Sequence, residues 1–304
     1  MEERSVKYLV SNEQDARWGV AVTTVGHQDI ASRAGYPSPD HPSGYLFSTS
    51  AGRVLDEYQI VYISRGRGRF ASAHVRECAI GAGDMFLLFP GEWHTYSPDP
   101  ETGWHESWIG FRGEDMERRM ASRFFTPERV VFDVGVSDRI YDLFRWGVAV
   151  AQRQEAGHQQ ILAGIVNLLL GVAYSCGRHR PFRDRHVDIV VSRAKIIMQE
   201  SLGRNLRTGG EAIARELGVG YSWFRHVFKE YTGFSPNGYM LELRISRAKE
   251  LLADTDLSCQ QIAYAAGFET PSYFAVAFRK RVGTTPLEYR SLTRGRLPSR
   301  AASL

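Results

Sequence analysis

One helix-turn-helix pattern occurs twice in this 304-residue chain, about fifty residues apart. The first copy reads Ile213-Ala214, Gly218, Ser222-Trp223-Phe224, Phe228-Lys229, Gly233, Ser235-Pro236; the second reads Ile262-Ala263, Gly267, Ser272-Tyr273-Phe274, Phe278-Arg279, Gly283, Thr285-Pro286. The offset is 49 up to the turn glycine and 50 beyond it, so the second turn holds one extra residue. A repeat that keeps its turn, its apolar anchors and its closing proline is a duplicated structural unit. Two such units in tandem can set two helices into successive turns of a DNA major groove, which makes a sequence-specific DNA binder the leading expectation.

Charge distribution agrees with that expectation. The net charge is +4, and from His186 onward there are 17 Lys and Arg against 11 Asp and Glu, leaving residues 1–185 slightly acidic. A basic C-terminal part beside a near-neutral N-terminal part suits one nucleic-acid-binding domain and one domain with another task. Cys78, Cys176 and Cys259 are too scattered for a disulfide framework or a metal site, so a reducing compartment is expected. The charged start Met1-Glu2-Glu3-Arg4 has no apolar run behind it, so no signal peptide and a cytoplasmic location are expected. The longest apolar stretch, Ile161 to Cys176, contains Asn167 and is short for a membrane span; it reads as a helix buried in a core or at a subunit contact.

Residues 18–111 read as short β-strands. Trp18 to Val25 and Tyr58 to Ile63 are rich in β-branched and aromatic residues, and Gly66 and Gly68 suggest a turn before Phe70 to Val75. Gly81, Gly83 and Asp84 mark a further turn before the run Met85 to Phe89, and the Pro/Ser/Gly-rich stretch from Tyr36 to Gly44 reads as a surface loop. Many short strands with glycine turns point to a small barrel or sandwich. Helical spacing follows, at Ile140, Leu143, Phe144 and Val148, and at Ile161, Ile165, Leu168, Leu169 and Val172. These two helices fit a barrel cap or a subunit contact equally well. Between the repeats, Leu241, Ile245, Ala248 and Leu252 form the stripe of a helix of roughly 18 residues, about 27 Å long. Ser258 with Gln261 is a capping box, Leu257 and Ile262 can staple it, and Thr270 before Pro271 caps the next helix.

In each repeat the helix after the turn keeps its core residues at fixed places: Phe224, Val227 and Phe228, then Phe274, Ala277 and Phe278. The positions left to face DNA are Ser222, Arg225 and His226 in the first, and Ser272, Tyr273 and Val276 in the second. Arg225 can donate two hydrogen bonds to guanine, Val276 can pack only on a thymine methyl, and Lys229, Arg279, Lys280 and Arg281 suit phosphates.

Residues 186–292 resemble the DNA-binding domain of the AraC family of bacterial transcription regulators. The resemblance rests on Gly267-Phe268, Ser272-Tyr273-Phe274, Phe278-Arg279, Gly283-Thr284-Thr285-Pro286 and Tyr289-Arg290. It implies two helix-turn-helix motifs joined by a long helix; at Val276 family members commonly carry a basic or polar residue. Upstream, Gly44-Tyr45-Leu46, Arg65-Gly66-Arg67-Gly68, Gly83-Asp84, Phe89-Pro90-Gly91-Glu92, His94, Tyr96 and Trp104 to Phe111 resemble the cupin-type sensor of the arabinose-regulator branch of that family. That resemblance implies a sugar site, with Trp108 as stacking platform, Tyr96 and Arg53 as hydroxyl partners and His94 in the strand-turn motif. Glu106 stands where that branch has a ligand-facing histidine. An apolar ring face with convergent polar groups is what a saccharide requires, although Trp93, Trp104 and Trp108 also suit a packed core.

The expected fold is thus two-domain. An all-β cupin-like barrel with appended helices covers 1–176 for ligand sensing and dimerisation, followed by a linker, 177–185. An all-α DNA-binding domain of two helix-turn-helix motifs covers 186–293, and 294–304 form a tail. The expected function is ligand-responsive transcription regulation of carbohydrate-utilisation genes, with no catalysis and no cofactor. The expected partners are promoter DNA, a sugar-class effector and a second copy in a homodimer, with RNA polymerase a further candidate and no membrane. No His-x-His ligand motif accompanies His94, His105 and Glu106, so no metal is expected. Two alternatives stand beside this reading: a metal-dependent cupin enzyme fused to a DNA-binding domain, and a constitutive DNA binder whose barrel only dimerises.

Overall fold

The computed structural model describes residues 4–37, 48–179, 185–203 and 209–294. Most of the expected linker, the Gly44-Tyr45-Leu46 match and nearly all of the tail lie outside them. The chain divides into two compact units, Met1–Pro181 and Phe182–Leu304.

The first unit runs β1 (Arg4–Tyr8), α1 (Glu13–Arg17), β2 (Ala21–Ile30), β3 (Arg53–Val54), β4 (Tyr58–Ser72), β5 (Cys78–Gly81), β6 (Asp84–Leu88), β7 (Trp93–Pro98), β8 (Trp104–Arg112), α2 (Glu114–Ala121), β9 (Val131–Asp133), α3 (Asp138–Arg153) and α4 (His158–His179). All strand pairs among the described residues are antiparallel, in the order β1-β2-β8-β4-β6-β9, with β5 and β7 also on β4 and β3 on β7. The long strand β4 therefore belongs to two sheets. Its first half pairs with β6 and β8, and its second half with β5 and β7.

The expected turn at Gly66 and Gly68 is absent, because β4 continues unbroken through both glycines. Gly66 sits in the left-handed region (φ +84°) just past a register shift between Ile63 and Arg65, where β4 bends from one sheet to the other. A side chain at Gly68 would meet the Ser97 carbonyl at 2.2 Å and the Trp104 ring at 2.6 Å. The glycines mark close approach rather than a reversal. β1 and β9, which sequence periodicity did not suggest, are short additions at the two ends of the strand order.

Side chains alternate along β8. Trp104, Glu106 and Trp108 face the interior between the sheets, while Ile109 and Phe111 face the opposite way with Ile60 and Val25. That outer face is covered by α3 and α4: Phe144 stacks on Tyr62 at 6.2 Å, and buried Gln159 bonds both the N–H and the C=O of Val22, satisfying backbone groups at a β2 bulge. α4 is long and apolar enough to cross a membrane by length and composition, but Ile165, Val166, Leu169 and Leu170 are buried in the barrel core. Of its predicted apolar positions, Ile161 and Leu168 stand apart, 43 % and 53 % exposed.

The second unit is helical: α5 (Arg185–Gly203), α6 (Gly210–Glu216), α7 (Tyr221–Thr232), α8 (Pro236–Asp254), α9 (Cys259–Ala265), α10 (Pro271–Val282) and α11 (Pro286–Thr293). It has two cores. Ile213, Ala214, Phe224, Val227 and Phe228 fill the first with α5 residues, and Ile262, Ala263, Phe274, Ala277 and Phe278 fill the second. α8 gives Met240 to the first core and Ile245, Ala248 and Leu252 to the second. The capping box at Ser258 and Gln261 forms in both directions, at 3.2 and 2.8 Å, and Thr270 caps α10 at 3.2 Å. Gly218 and Gly267 adopt positive φ in the turns, and Gly233 and Gly283 close α7 and α10 the same way, which only glycine does without strain.

Gly68→Ala should therefore overpack the junction between the sheets and cost about 1–3 kcal/mol. In calorimetric melting of the full chain the barrel transition should fall while the helical transition stays. Gly81→Ala, where a side chain meets nothing closer than 4.0 Å, is the control.

Candidate functional site

The interior of the barrel holds a polar cluster in an aromatic wall. β3 brings Arg53 opposite His94 of β7, and Tyr96 follows two residues later on the same face. Arg53 Nε donates to His94 Nε2 at 3.2 Å, and Arg53 Nη2 donates to the Tyr96 hydroxyl at 2.7 Å. The guanidinium also lies over the Tyr96 ring, 5.6 Å from its centre. His94 Nδ1 lies 3.1 Å from the Glu92 carbonyl, so the geometry calls for a neutral imidazole that donates through Nδ1 and accepts through Nε2. Burial, with Arg53 beside it, pushes the His94 pKa down to about 4.

Across the interior Glu106 is 3 % exposed. Gln28 Nε2 donates to its Oε1, and the Tyr36 hydroxyl donates to its Oε2 at 3.1 Å. Burial pushes the carboxyl pKa up to about 7; the bonds from Gln28 and Tyr36, the positive charge of Arg53 and the nearby Trp104 indole hold it from rising further. Burial also pushes the Tyr96 phenol up to about 12 and Tyr36 well above its ordinary value. Gln28 Oε1 is buried with no hydrogen-bond partner, and the Trp104 Nε1–H is buried outside hydrogen-bond geometry. Tyr36 packs against both Tyr96 and Trp104, at 6.2 and 5.9 Å. It also forms part of the wall of an open cleft of about 680 Å³ bounded by Ala31, Thr49, Gly68, Ile80, Ser97 and Pro98.

Of the five ligand residues expected from sequence, four stand together: Arg53, His94, Tyr96 and Glu106. Trp108 shares their interior face but lies flat over Gly26, where a side chain would meet its ring at 2.6 Å, with its Nε1–H 3.4 Å from Thr24. Trp104 makes ring contacts with both Tyr36 and Tyr96, at 5.9 and 6.2 Å. Sequence reasoning passed over three members of the site. Trp104 was named only as a core candidate, although it lies two residues from Glu106 on a strand. Gln28 was legible only through its pairing with Glu106 across β2 and β8. Composition places Tyr36 in a surface loop, yet its side chain turns inward, where its phenol bonds a carboxyl and its ring packs on Tyr96 and Trp104. Among the described residues no group of three His, Cys, Asp or Glu side chains is placed to hold a metal ion.

In the second unit, all six residues expected to face DNA are exposed: Ser222, Arg225 and His226 on α7, and Ser272, Tyr273 and Val276 on α10. Lys229, Arg279, Lys280 and Arg281 are exposed further along these helices, and Arg281 also pairs with Glu242 of α8 at 3.0 Å. Trp223 stacks on His186 at 5.9 Å, fixing α7 to α5.

Residues 46–171 match the AraC-like ligand binding domain, and residues 213–291 match a helix-turn-helix domain. The raffinose operon transcriptional regulatory protein of Pediococcus pentosaceus is 25% identical over 80% of this chain and 88% of its own length. The Msm operon regulatory protein of Streptococcus mutans is 27% identical over 84% and 90%. The arabinose operon regulatory protein of Escherichia coli is 26% identical over 84% and 87%. The chain belongs to the AraC family: it is a ligand-responsive, DNA-binding regulator of transcription, with a β-rich ligand-binding domain before a helical DNA-binding domain.

Glu106 imposes a pH dependence on the barrel. Its carboxyl holds a proton more tightly folded (about 7) than unfolded (4.5), so the stabilisation is complete below pH 4.5 and is lost as pH rises through 7. The loss is on the order of 3 kcal/mol. Glu106→Gln keeps a neutral hydrogen-bonding group, so its stability relative to the parent should increase between pH 5 and pH 8 in urea unfolding. A parallel pH profile for both proteins would contradict the assignment.

Proposed function

We propose that the effector is a sugar and that its arrival in the barrel changes how the chain engages promoter DNA. The observation that carries this is the buried, partnerless Gln28 Oε1 beside Glu106 and Arg53 inside an aromatic wall. An orphaned buried acceptor costs about 1–3 kcal/mol, which a ligand hydroxyl relieves. The rim of a saccharide supplies such donors and also accepts from Arg53, while its apolar C–H face suits the rings of Tyr36, Tyr96, Trp104 and Trp108. Two relatives are named for the raffinose and arabinose operons, which supports the same ligand class. On this reading Arg53, His94, Tyr96, Glu106 and Trp108 bind the effector together with Gln28, Tyr36 and Trp104. Of these residues Tyr36 also lines the cleft of about 680 Å³, a size that small-molecule sites occupy.

The same proposal sets Ser222, Arg225 and His226 in one major-groove segment and Ser272, Tyr273 and Val276 in the next, in genes of carbohydrate use. Residues 1–176 sense and dimerise, 177–185 link, 186–293 bind DNA and 294–304 form a tail. The protein works in the cytoplasm as a homodimer and catalyses no reaction. RNA polymerase is the further partner of a regulator bound at a promoter. Dimerisation falls to the exposed stripe Ile161, Gly164, Leu168 and Gly171 of α4, whose spacing of three and four residues is that of a coiled-coil seam.

Titration calorimetry with arabinose, xylose, galactose, melibiose and raffinose should give saturable heat for at least one sugar. Trp108→Ala should lose that heat while leaving promoter affinity intact; no heat from any sugar overturns the ligand class. Arg225→Ala should cost about 1–3 kcal/mol on the preferred operator and relax selection at one base pair. Equal weakening on every sequence, read by mobility shift, would exclude a base contact.

A further inference from the structure

The two recognition helices differ in chemistry at equivalent places. α7 and α10 each run for 12 residues, and their first ten positions follow the same order of burial and exposure at an offset of 50. Phe224, Val227 and Phe228 correspond to Phe274, Ala277 and Phe278 in the cores, and Ser222 corresponds to exposed Ser272. Arg225 then corresponds to Ala275 and His226 to Val276, all four exposed. Val276 is 67 % exposed, so its own core does not use it. The second helix thus offers two adjacent apolar side chains where the first offers two hydrogen-bonding ones.

We propose that the half-site beneath α10 is read through thymine methyl groups by Ala275 and Val276, while the half-site beneath α7 is read by hydrogen bonds from Arg225 and His226. The inference rests on both helices facing the major groove, as proposed above. Neither Ala275 nor Val276 has a side-chain donor or acceptor, and backbone amides this far into a helix are already bonded within it. Pressed on a G·C edge, these side chains strip water from guanine O6 and N7 and from the cytosine amino group without replacing its bonds. Pressed on thymine, they cover the C5 methyl, whose removal from water is favourable. Ala275 and Val276 therefore select by rejecting unpaired polar edges as much as by attracting methyls. Exposed Ser272, Arg279 and Lys280 surround them with groups suited to phosphates, so α10 can be held in the groove while its centre stays apolar.

The experiment is a selection of binding sites from random duplexes with the full chain, followed by replacement of selected thymines with deoxyuridine, which removes the methyl and nothing else. The expected site is bipartite, with thymine at the positions under α10. Deoxyuridine there should weaken binding about fourfold per methyl covered, whereas the same change under α7 should leave affinity unchanged. Val276→Ala should reduce the deoxyuridine effect, and the double variant Ala275→Arg, Val276→His should shift the second half-site toward the sequence of the first. Both positions are exposed, so the fold tolerates these changes. Equal binding of thymine and deoxyuridine sites, or a selected second half-site rich in G·C at the covered positions, overturns the proposal while leaving groove binding intact. A selection that enriches no sequence overturns the groove-facing assignment itself.

Discussion

Helix α8 is the constraint on which the DNA-binding unit depends, because it must finish one hydrophobic core and begin another. Its 19 residues place Met240 in the first core and Ile245, Ala248, Leu251 and Leu252 in the second. Neither set of short helices can bury its apolar face alone. α6 and α9 have seven residues each, well under the length at which a helix holds itself together in water. Burial against α8 stabilises them, and the rigid length of α8, about 28 Å at 1.5 Å per residue, separates the two recognition helices. The spacing of α7 and α10 is thereby set by core packing rather than by their exposed residues, which are free to vary in chemistry.

In the barrel the governing balance is between desolvation and hydrogen bonding. Glu106 and His94 are both buried, and each is driven toward its neutral form, upward for the acid and downward for the imidazole. Arg53 supplies a charge between them. Burial dominates at both groups; the Arg53 charge adds to it at the imidazole and, with the hydrogen bonds from Gln28 and Tyr36, opposes it at the carboxyl. Such an interior is able to exchange partners. Tyr36 holds Glu106 from outside the strands, so this bond is not fixed by the sheet ladder.

Much of the second unit was legible in sequence because its signals are local. Caps, turn glycines and the core triplets act over a few residues, and each reappears in the structure with the expected partner. The barrel was less legible because its signals are long-range. Gly66 and Gly68 resemble turn residues until Trp104 and Ser97 are seen pressed against the strand. Tyr36 belongs to a polar stretch by composition, and only a carboxyl seventy residues away explains its inward side chain. Ile161 and Leu168 share helical spacing with buried neighbours, but spacing gives a stripe and not its width, so their exposure was not readable.

The duplication also distributes stability unevenly. In the second copy every helix start carries its own side-chain cap, at Ser258, Thr270 and Thr285. In the first copy α6 and α7 begin after Gly209 and Gly220, with no side-chain cap, and only α8 is capped, by Ser235. A cap is worth about 1 kcal/mol, and glycine recovers part of it by letting water reach the free N–H groups. α7 therefore depends on the packing of Phe224 and Phe228 and on the Trp223–His186 stack, whereas α10 has the matching contacts of Phe274, Phe278 and Tyr273 on Phe268 as well as its cap. The helix with the hydrogen-bonding face is thus the one less secured by its own ends, and the helix with the apolar face is held by local bonds. Hydrogen bonds weaken steeply with angle while apolar contacts do not, so the face that needs the firmer platform is the one whose helix start lacks a side-chain cap, and packing against the first core has to supply that firmness.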